Sequence, residues 1–191
     1  RGQQVVRIDE EIDSPVEGPD KELLISTAVG VLADADALVL EDYNKGALTE
    51  ALITATIGAA RQRGIPVVVD PKFRNFFAYA GATVFKPNRR ELEAALGATL
   101  DLEGENALQE AIKRLRVDNL LLTLGAEGMV LVTRDQMTAH IPSLAHGVYD
   151  VSGAGDTVTA WVATALAAGA TVREAANLAN YAAGIEVAKS G

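Results

Sequence analysis

The sequence VYDVSGAGDTV, residues 148–158, joins a glycine-bracketed turn to the start of a helix. We predict this helix over residues 155–168, because apolar residues recur there at the spacing that places them on one face. The residues expected to form this buried stripe are Val158, Trp161, Val162, Ala165 and Leu166. The stretch therefore predicts an amphipathic helix that begins at a turn of small residues and packs against a core.

The start of this helix has the properties of an anion site. The first backbone N–H groups of a helix have no partners within it and carry partial positive charge. Gly153 and Gly155 have no side chains to block a close approach, and Asp156 stands where a substrate hydroxyl could lose its proton. A turn that only caps a helix would explain Gly-Ala-Gly equally well, so these residues alone leave both interpretations open.

Strand-like and helix-like segments alternate along the rest of the chain. Short apolar or β-branched runs predict strands, and longer segments of helical period predict helices. The alternation predicts an α/β fold, a three-layer α/β/α sandwich with a mainly parallel sheet. Helices are expected at 21–33, 48–63, 88–96, 106–115, 155–168 and 172–188, and strands at 37–40, 67–69, 82–85, 120–124, 129–133 and 136–141.

Polar residues follow the predicted strands. Open α/β sheets bind ligands outside the carboxyl ends of their strands, so this edge of the sheet is the expected site. The polar residues at these positions are Glu41, Asp42, Asn44, Lys45, Asp70, Lys72, Lys86, Asn88, Glu91 and Thr123.

Two of the polar segments that follow strands can be explained by structure as well as by function. Asn88 and Glu91 have the spacing of a capping box at a helix start. The segment from Thr123 through Gly125 to Gly128 has the composition of a hairpin turn. Spacing alone does not separate these structural explanations from a role in ligand binding.

Composition limits the possible functions of the chain. Its 191 residues carry a net charge of −9 and no cysteine. Nonspecific nucleic-acid binding needs a basic face, and thiolate metal sites and disulfides need cysteine, so these classes are disfavoured. The sequence has no P-loop and no early dinucleotide fingerprint, and it has no long apolar span. Positive charge for phosphates could be concentrated locally by Lys45, Lys72, Arg74, Lys86, Arg89 and Arg90.

The turn at residues 150–156 resembles the signature Asp-Thr-x-Gly-Ala-Gly-Asp of the ribokinase-like (PfkB-type) carbohydrate kinases, with Val151-Ser152 in place of Thr and the variable residue. This resemblance implies a ribokinase-like fold and ATP-dependent phosphoryl transfer to a sugar hydroxyl. It also implies that Asp156 is the catalytic base and that Gly153, Ala154 and Gly155 form an anion hole. An oxidoreductase is disfavoured by the absent fingerprint.

The same resemblance implies a nucleotide site. The family carries Asn-x-x-Glu near the ATP phosphates and their magnesium, which matches Asn88 and Glu91, with Glu91 as the metal ligand and Arg89 and Arg90 between them. The family also has a turn along the ATP and a late helix beside the adenine. The matching residues here are Thr123, Gly125, Gly128 and Asn180, although helix packing explains Asn180 equally well.

Two further segments resemble one subfamily. Asp42-Tyr43-Asn44-Lys45-Gly46 and Asp70-Pro71-Lys72 look like the kinase domain of the bacterial D-glycero-β-D-manno-heptose 7-phosphate kinases of lipopolysaccharide-core assembly. Lys45 and Lys72 are then candidates to face a phosphate, although both could be surface lysines. Another sugar or nucleoside kinase such as ribokinase, and a noncatalytic nucleotide-binding module, remain alternatives.

The resemblance also predicts domain organisation. We expect residues 1–191 to be one ribokinase-like domain, incomplete at both ends, with 1–19 as a remnant of the lid and sugar-binding region and 20–191 as the nucleotide-binding core. Such a fragment is expected to be weakly active or inactive. The complete protein is expected to be a cytoplasmic homodimer that binds ATP, Mg2+ and a sugar phosphate.

Overall fold

A computed structural model describes residues 13–102, 105–144 and 153–188. Within these residues, a six-stranded sheet lies between two layers of helices. The helices are α1 (Gly18–Val31), α2 (Glu50–Gln62), α3 (Arg89–Leu96), α4 (Glu105–Leu115), α5 (Ala154–Ala167) and α6 (Val172–Val187). The strands are β1 (Leu38–Glu41), β2 (Val67–Asp70), β3 (Val84–Phe85), β4 (Asn119–Thr123), β5 (Met129–Thr133) and β6 (Thr138–Ile141).

The strands lie side by side in chain order. β1 to β4 pair in parallel, whereas β4–β5 and β5–β6 are antiparallel pairs. The sheet is therefore mixed: helices connect β1 to β2 and β3 to β4, an irregular segment connects β2 to β3, and short turns join the antiparallel strands. The α/β fold predicted from the sequence is confirmed.

Successive residues of the central strands point into two separate cores, as the period of a β-strand requires. In β4, Leu120 and Leu122 pack against one helical layer and Leu121 packs against the other. All three side chains are buried, and burial of each contributes about 2 kcal/mol to folding. The first layer contains α2, α3 and α4, and the second contains α5 and α6.

The predicted apolar stripe of α5 is wrong at one position. Trp161 is 49% exposed, and Leu166 is only half-buried. The buried face of α5 is turned away from Trp161 and includes Thr159 and Ala163. The helical period predicts Trp161 to lie near this face, but the width of the buried face depends on how α6 packs against α5.

The other predicted elements are present with shifted ends. α1 begins at Gly18, three residues early, and α2 begins after Thr49, whose hydroxyl accepts a hydrogen bond from Leu52 N. Among the described residues no helix combines the length and the apolar character needed to cross a bilayer. Residues 148–152 of the turn before α5, and residues 1–12 of the expected lid remnant, lie outside the described residues.

Candidate active site

A cavity of about 450 Å³ lies at the carboxyl ends of β2, β3 and β4, facing the N-terminus of α5. Parallel strands bring these ends to one edge of the sheet, as the sequence argument expected. The predicted site residues that line it are Lys72, Asn88, Glu91, Thr123, Gly125, Gly128, Ala154, Gly155, Asp156 and Asn180.

The turn before α5 places an acid and the first amides of a helix at the cavity. Gly153 has a φ of 76°, in the left-handed region that favours glycine, and α5 begins at the next residue. Ala154, Gly155 and Asp156 lie in the first helical turn and border the cavity. The helix therefore directs its partial positive charge, with one exposed carboxylate, at the same space.

Three carboxylates from different elements converge beside this turn. Oxygens of Glu41, Asp70 and Asp156 all lie within 4.8 Å of one another. Burial raises the pKa of Glu41 above its usual value, and the neighbouring Asp156 carboxylate, which accepts a hydrogen bond from the protonated Glu41, raises it further. The hydroxyl of Tyr43 donates a 3.1 Å hydrogen bond to Glu41 Oε1, and this bond is the main reason that the pKa of Tyr43 rises to about 12. Mutual repulsion among these acids favours a proton or a cation between them.

Two lysines balance part of this negative charge. Lys86 Nζ lies 3.0 Å from Asp70 Oδ2, and both side chains are almost fully buried. Lys72 Nζ lies 2.8 Å from Glu91 Oε1. Burial opposes the charge on Lys72, but the hydrogen bond and charge of Glu91 outweigh it and raise the pKa of Lys72.

The predicted capping box at Asn88 and Glu91 is present. Asn88 Oδ1 accepts a hydrogen bond from Glu91 N at 2.9 Å, and Glu91 Oε2 accepts one from Asn88 N at 2.8 Å. Both residues also line the cavity. The capping interpretation is therefore correct, and the position of the pair at the cavity is compatible with a second role in ligand binding.

The far end of the cavity is formed by a turn and by α6. The segment Gly125–Glu127 is one turn of 3-10 helix, and Gly128 follows it with a φ of 95°. Asn180 is buried, and its amide donates a 2.8 Å hydrogen bond to Pro142 O. This bond anchors α6 to the segment after β6, while Asn180 still borders the cavity.

Four predicted site residues do not line this cavity: Gly153, Arg89, Arg90 and Lys45. Arg89 lies along α3 instead, where it pairs with Glu93 at 3.0 Å and donates a hydrogen bond to Leu100 O. Lys45 is exposed in the loop after β1.

The structure adds three residues to the neighbourhood of the site. Glu41, Asp70 and Lys86 each lie at or just after the end of a parallel strand. Their strand-end positions were visible in the sequence, and Asp70 belongs to the segment Asp70-Pro71-Lys72, but no pattern assigned a role in the site to any of the three. Their burial and their contacts with other charged side chains, which only the fold reveals, distinguish these three residues from their polar neighbours.

The comparisons with known proteins agree with this geometry. The sequence model described as pfkB family carbohydrate kinase matches residues 12–191. The chain belongs to this family of carbohydrate kinases, as the turn at residues 150–156 predicted.

Similar sequences are found among curated bacterial proteins. The chain is 46% identical to the bifunctional protein HldE of Pelobacter propionicus, over 99% of this chain and 39% of that protein. It is also 46% identical to the bifunctional protein HldE of Caulobacter vibrioides, over 98% of this chain and 39% of that protein. The chain thus spans about two fifths of the length of the curated relatives that it matches.

Solved structures share the fold. A ribokinase from Thermotoga maritima matches with a TM-score of 0.70 and 26% identity, over 94% of this chain and 57% of that one. Phosphofructokinase-2 from Escherichia coli, in complex with potassium, matches with a TM-score of 0.77 and 19% identity, over 93% of this chain and 58% of that one. Arabidopsis thaliana ribokinase, complexed with ribose and ATP, matches with a TM-score of 0.71 and 24% identity, over 93% of this chain and 55% of that one.

Proposed function

We propose that this chain forms the ATP-binding part of a kinase that phosphorylates the anomeric hydroxyl of D-glycero-β-D-manno-heptose 7-phosphate, a step in ADP-heptose synthesis for the lipopolysaccharide core. The observation that carries the proposal is the cavity in which the first turn of α5 and Asp156 meet Asn88, Glu91 and Thr123 at the strand ends. Family membership supports phosphoryl transfer. The segments 42–46 and 70–72, together with 43–46% identity to HldE proteins, support the heptose substrate.

In this mechanism Asp156 takes the proton of the sugar hydroxyl as the oxygen bonds to phosphorus. A positioned general base contributes about 100- to 10,000-fold to the rate. The amides at the start of α5 stabilise the charge on the moving phosphoryl group, and each such donor contributes about 3 kcal/mol. Positioning and charge stabilisation carry most of the acceleration, because the phosphoryl transition state needs little covalent assistance.

The described residues fit a magnesium ion near the phosphates. Glu91 borders the cavity, and its Oε1 lies 2.8 Å from Lys72 Nζ. A metal ion could replace Lys72 as the partner of this carboxylate. Mg2+ favours few carboxylates and several waters, so Glu91 would hold it through water. When bound, the ion neutralises phosphate charge. Thr123, Gly125, Gly128 and Asn180 line the same cavity, which supports a nucleotide flanked by the first three, with its base beside Asn180.

The two lysine candidates differ in position. Lys72 lines the cavity and pairs with Glu91, so it is the better placed to meet a phosphate of ATP or of the sugar. Lys45 lies outside this lining, and its role as a phosphate contact stays a prediction. A cytoplasmic location and a homodimer of the complete protein also stay predictions.

The test is a substrate panel with the gene product that contains this chain. With Mg-ATP, we expect ADP release to depend on heptose 7-phosphate and to yield the 1,7-bisphosphate, with far slower release on ribose or fructose 6-phosphate. Release that depends on ribose but not on the heptose would overturn the substrate. Failure to bind ATP in a calorimetric titration would overturn the kinase assignment.

A further inference from the structure

Lys86 is a buried cation that the reaction described above does not use. It follows β3, and its side chain is 4% exposed. Its ammonium contacts Asp70 Oδ2 at 3.0 Å, and Lys86 also borders the cavity. A buried lysine of this kind needs partners for its charge, because desolvation without them is costly.

The described residues supply acceptors for only part of what this ammonium can donate. A lysine ammonium has three N–H donors. Within residues 13–102, 105–144 and 153–188, the structure gives Lys86 Nζ one partner, Asp70. The remaining donors of a buried charge favour an anion beside them.

The position of Lys86 identifies the anion that would satisfy it. A Cβ built on Gly155 would lie 3.6 Å from Lys86 Nζ. The ammonium is therefore adjacent to the first turn of α5, where Asp156 and the first amides of the helix lie. Lys72, by contrast, is half-buried and pairs with Glu91.

We propose that Lys86 contacts the terminal phosphoryl group of ATP and, held by Asp70, adds a charged donor to the amides of α5. This rests on the proposed function. In the transfer, the bond from the γ-phosphorus to the β–γ bridging oxygen breaks, and the bond to the sugar oxygen forms. The proton of the sugar hydroxyl passes to Asp156, and ADP leaves. Lys86 keeps its protons and stabilises the negative charge of the phosphoryl group during the transfer.

Nucleotide selectivity tests this contact, because ADP lacks the group that Lys86 meets. We expect Lys86→Met to weaken Mg-ATP binding at least about tenfold, as loss of a hydrogen bond to a charged group implies. Mg-ADP affinity, measured by the same calorimetric titration, should change much less. Lys113→Met, an exposed lysine on α4, is the matched control and should leave both affinities unchanged.

Removing Lys86 alone leaves Asp70 buried without its partner, so Lys86→Met could fail to fold. The double variant Asp70→Asn/Lys86→Met removes both charges and should show the same loss of selectivity for ATP over ADP. Equal losses for the two nucleotides, or no loss, would show that Lys86 serves only as the counter-ion of Asp70 and would overturn the inference. If the parent chain binds neither nucleotide, the proposed function fails, and the inference fails with it.

Discussion

At the scale of single residues, Glu91 divides its carboxylate between two tasks. Oε2 accepts the hydrogen bond of Asn88 N that completes the helix cap, whereas Oε1 meets Lys72 at the cavity. Thr171 and Glu174 form the same capping box at the start of α6. Glu174 does not line the cavity. A substitution of Glu174 therefore measures the loss of stability from an incomplete helix cap without any effect on ligand binding.

We expect Glu91→Gln and Glu174→Gln to have similar small effects on stability, each about 1 kcal/mol or less, because glutamine can still complete the box. Only Glu91→Gln should raise the magnesium concentration needed for half-maximal ATP binding, by roughly tenfold. The measurement is ATP affinity as a function of magnesium for each variant.

If ATP binding by Glu91→Gln depends on magnesium as it does in the parent chain, Glu91 acts only as part of the helix cap. A comparable shift in Glu174→Gln would show that the effect comes from helix capping in general.

The sequence predicted the spacing of Asn88 and Glu91 but left their role open. The reason is physical: a capping box uses one oxygen of the glutamate, and nothing in the spacing tells what the other oxygen meets. Lys72, its partner, lies 19 residues earlier in the chain. Only the fold could bring the two together.

At the scale of elements, the turn between β4 and β5 depends on two glycines in different surroundings. A Cβ on Gly128 would lie 2.1 Å from Ile141 O, since β6 ends directly against this turn. A Cβ on Gly125 would meet nothing within 4 Å. Both residues have positive φ, at 95° and 63°, so both substitutions strain the backbone.

Gly125→Ala should therefore cost only the strain of a left-handed residue, about 1 kcal/mol. Gly128→Ala adds a clash with backbone that cannot move independently, so it should cost about 3 kcal/mol or more. Urea denaturation of the two variants measures the difference. Equal costs would mean that the approach of β6 to Gly128 is not as close as described.

Elements were predicted well where local pattern decides them, and less well where a neighbour does. The apolar run of β2 and the helical period of α5 were enough to place both. The exposure of Trp161 could not be predicted from this local pattern, because it depends on how α6 packs against α5. β3 is only two residues long, Val84–Phe85, because its pairing with β2 begins two residues after the predicted start of the strand.

At the scale of the whole molecule, the sheet assembles the site from residues that are far apart in sequence. The rule that ligands bind at strand ends predicted the correct edge. It did not predict that Glu41, and not Lys45, would approach Asp156. The loop after β1 is held by Asp42, which accepts hydrogen bonds from Tyr79 and Asn44 N, and this loop carries Lys45 away from the cavity lining.

We propose Asp156, at the N-terminus of α5, as the base of the phosphoryl transfer. Asp156→Asn tests it, with Asp20→Asn as the matched control, because Asp20 is an exposed acid in the first turn of α1. Both substitutions remove a favourable interaction with a helix N-terminus, and Asp156→Asn also relieves repulsion with Glu41 and Asp70, so it should destabilise the fold no more than Asp20→Asn does.

The decisive measurement is the turnover of ATP with heptose 7-phosphate by the gene product that contains this chain, together with its ATP affinity. We predict that Asp156→Asn keeps its ATP affinity and loses about 100- to 10,000-fold in turnover, while Asp20→Asn keeps both. Turnover by Asp156→Asn close to that of the parent would contradict the assignment of Asp156 as the base.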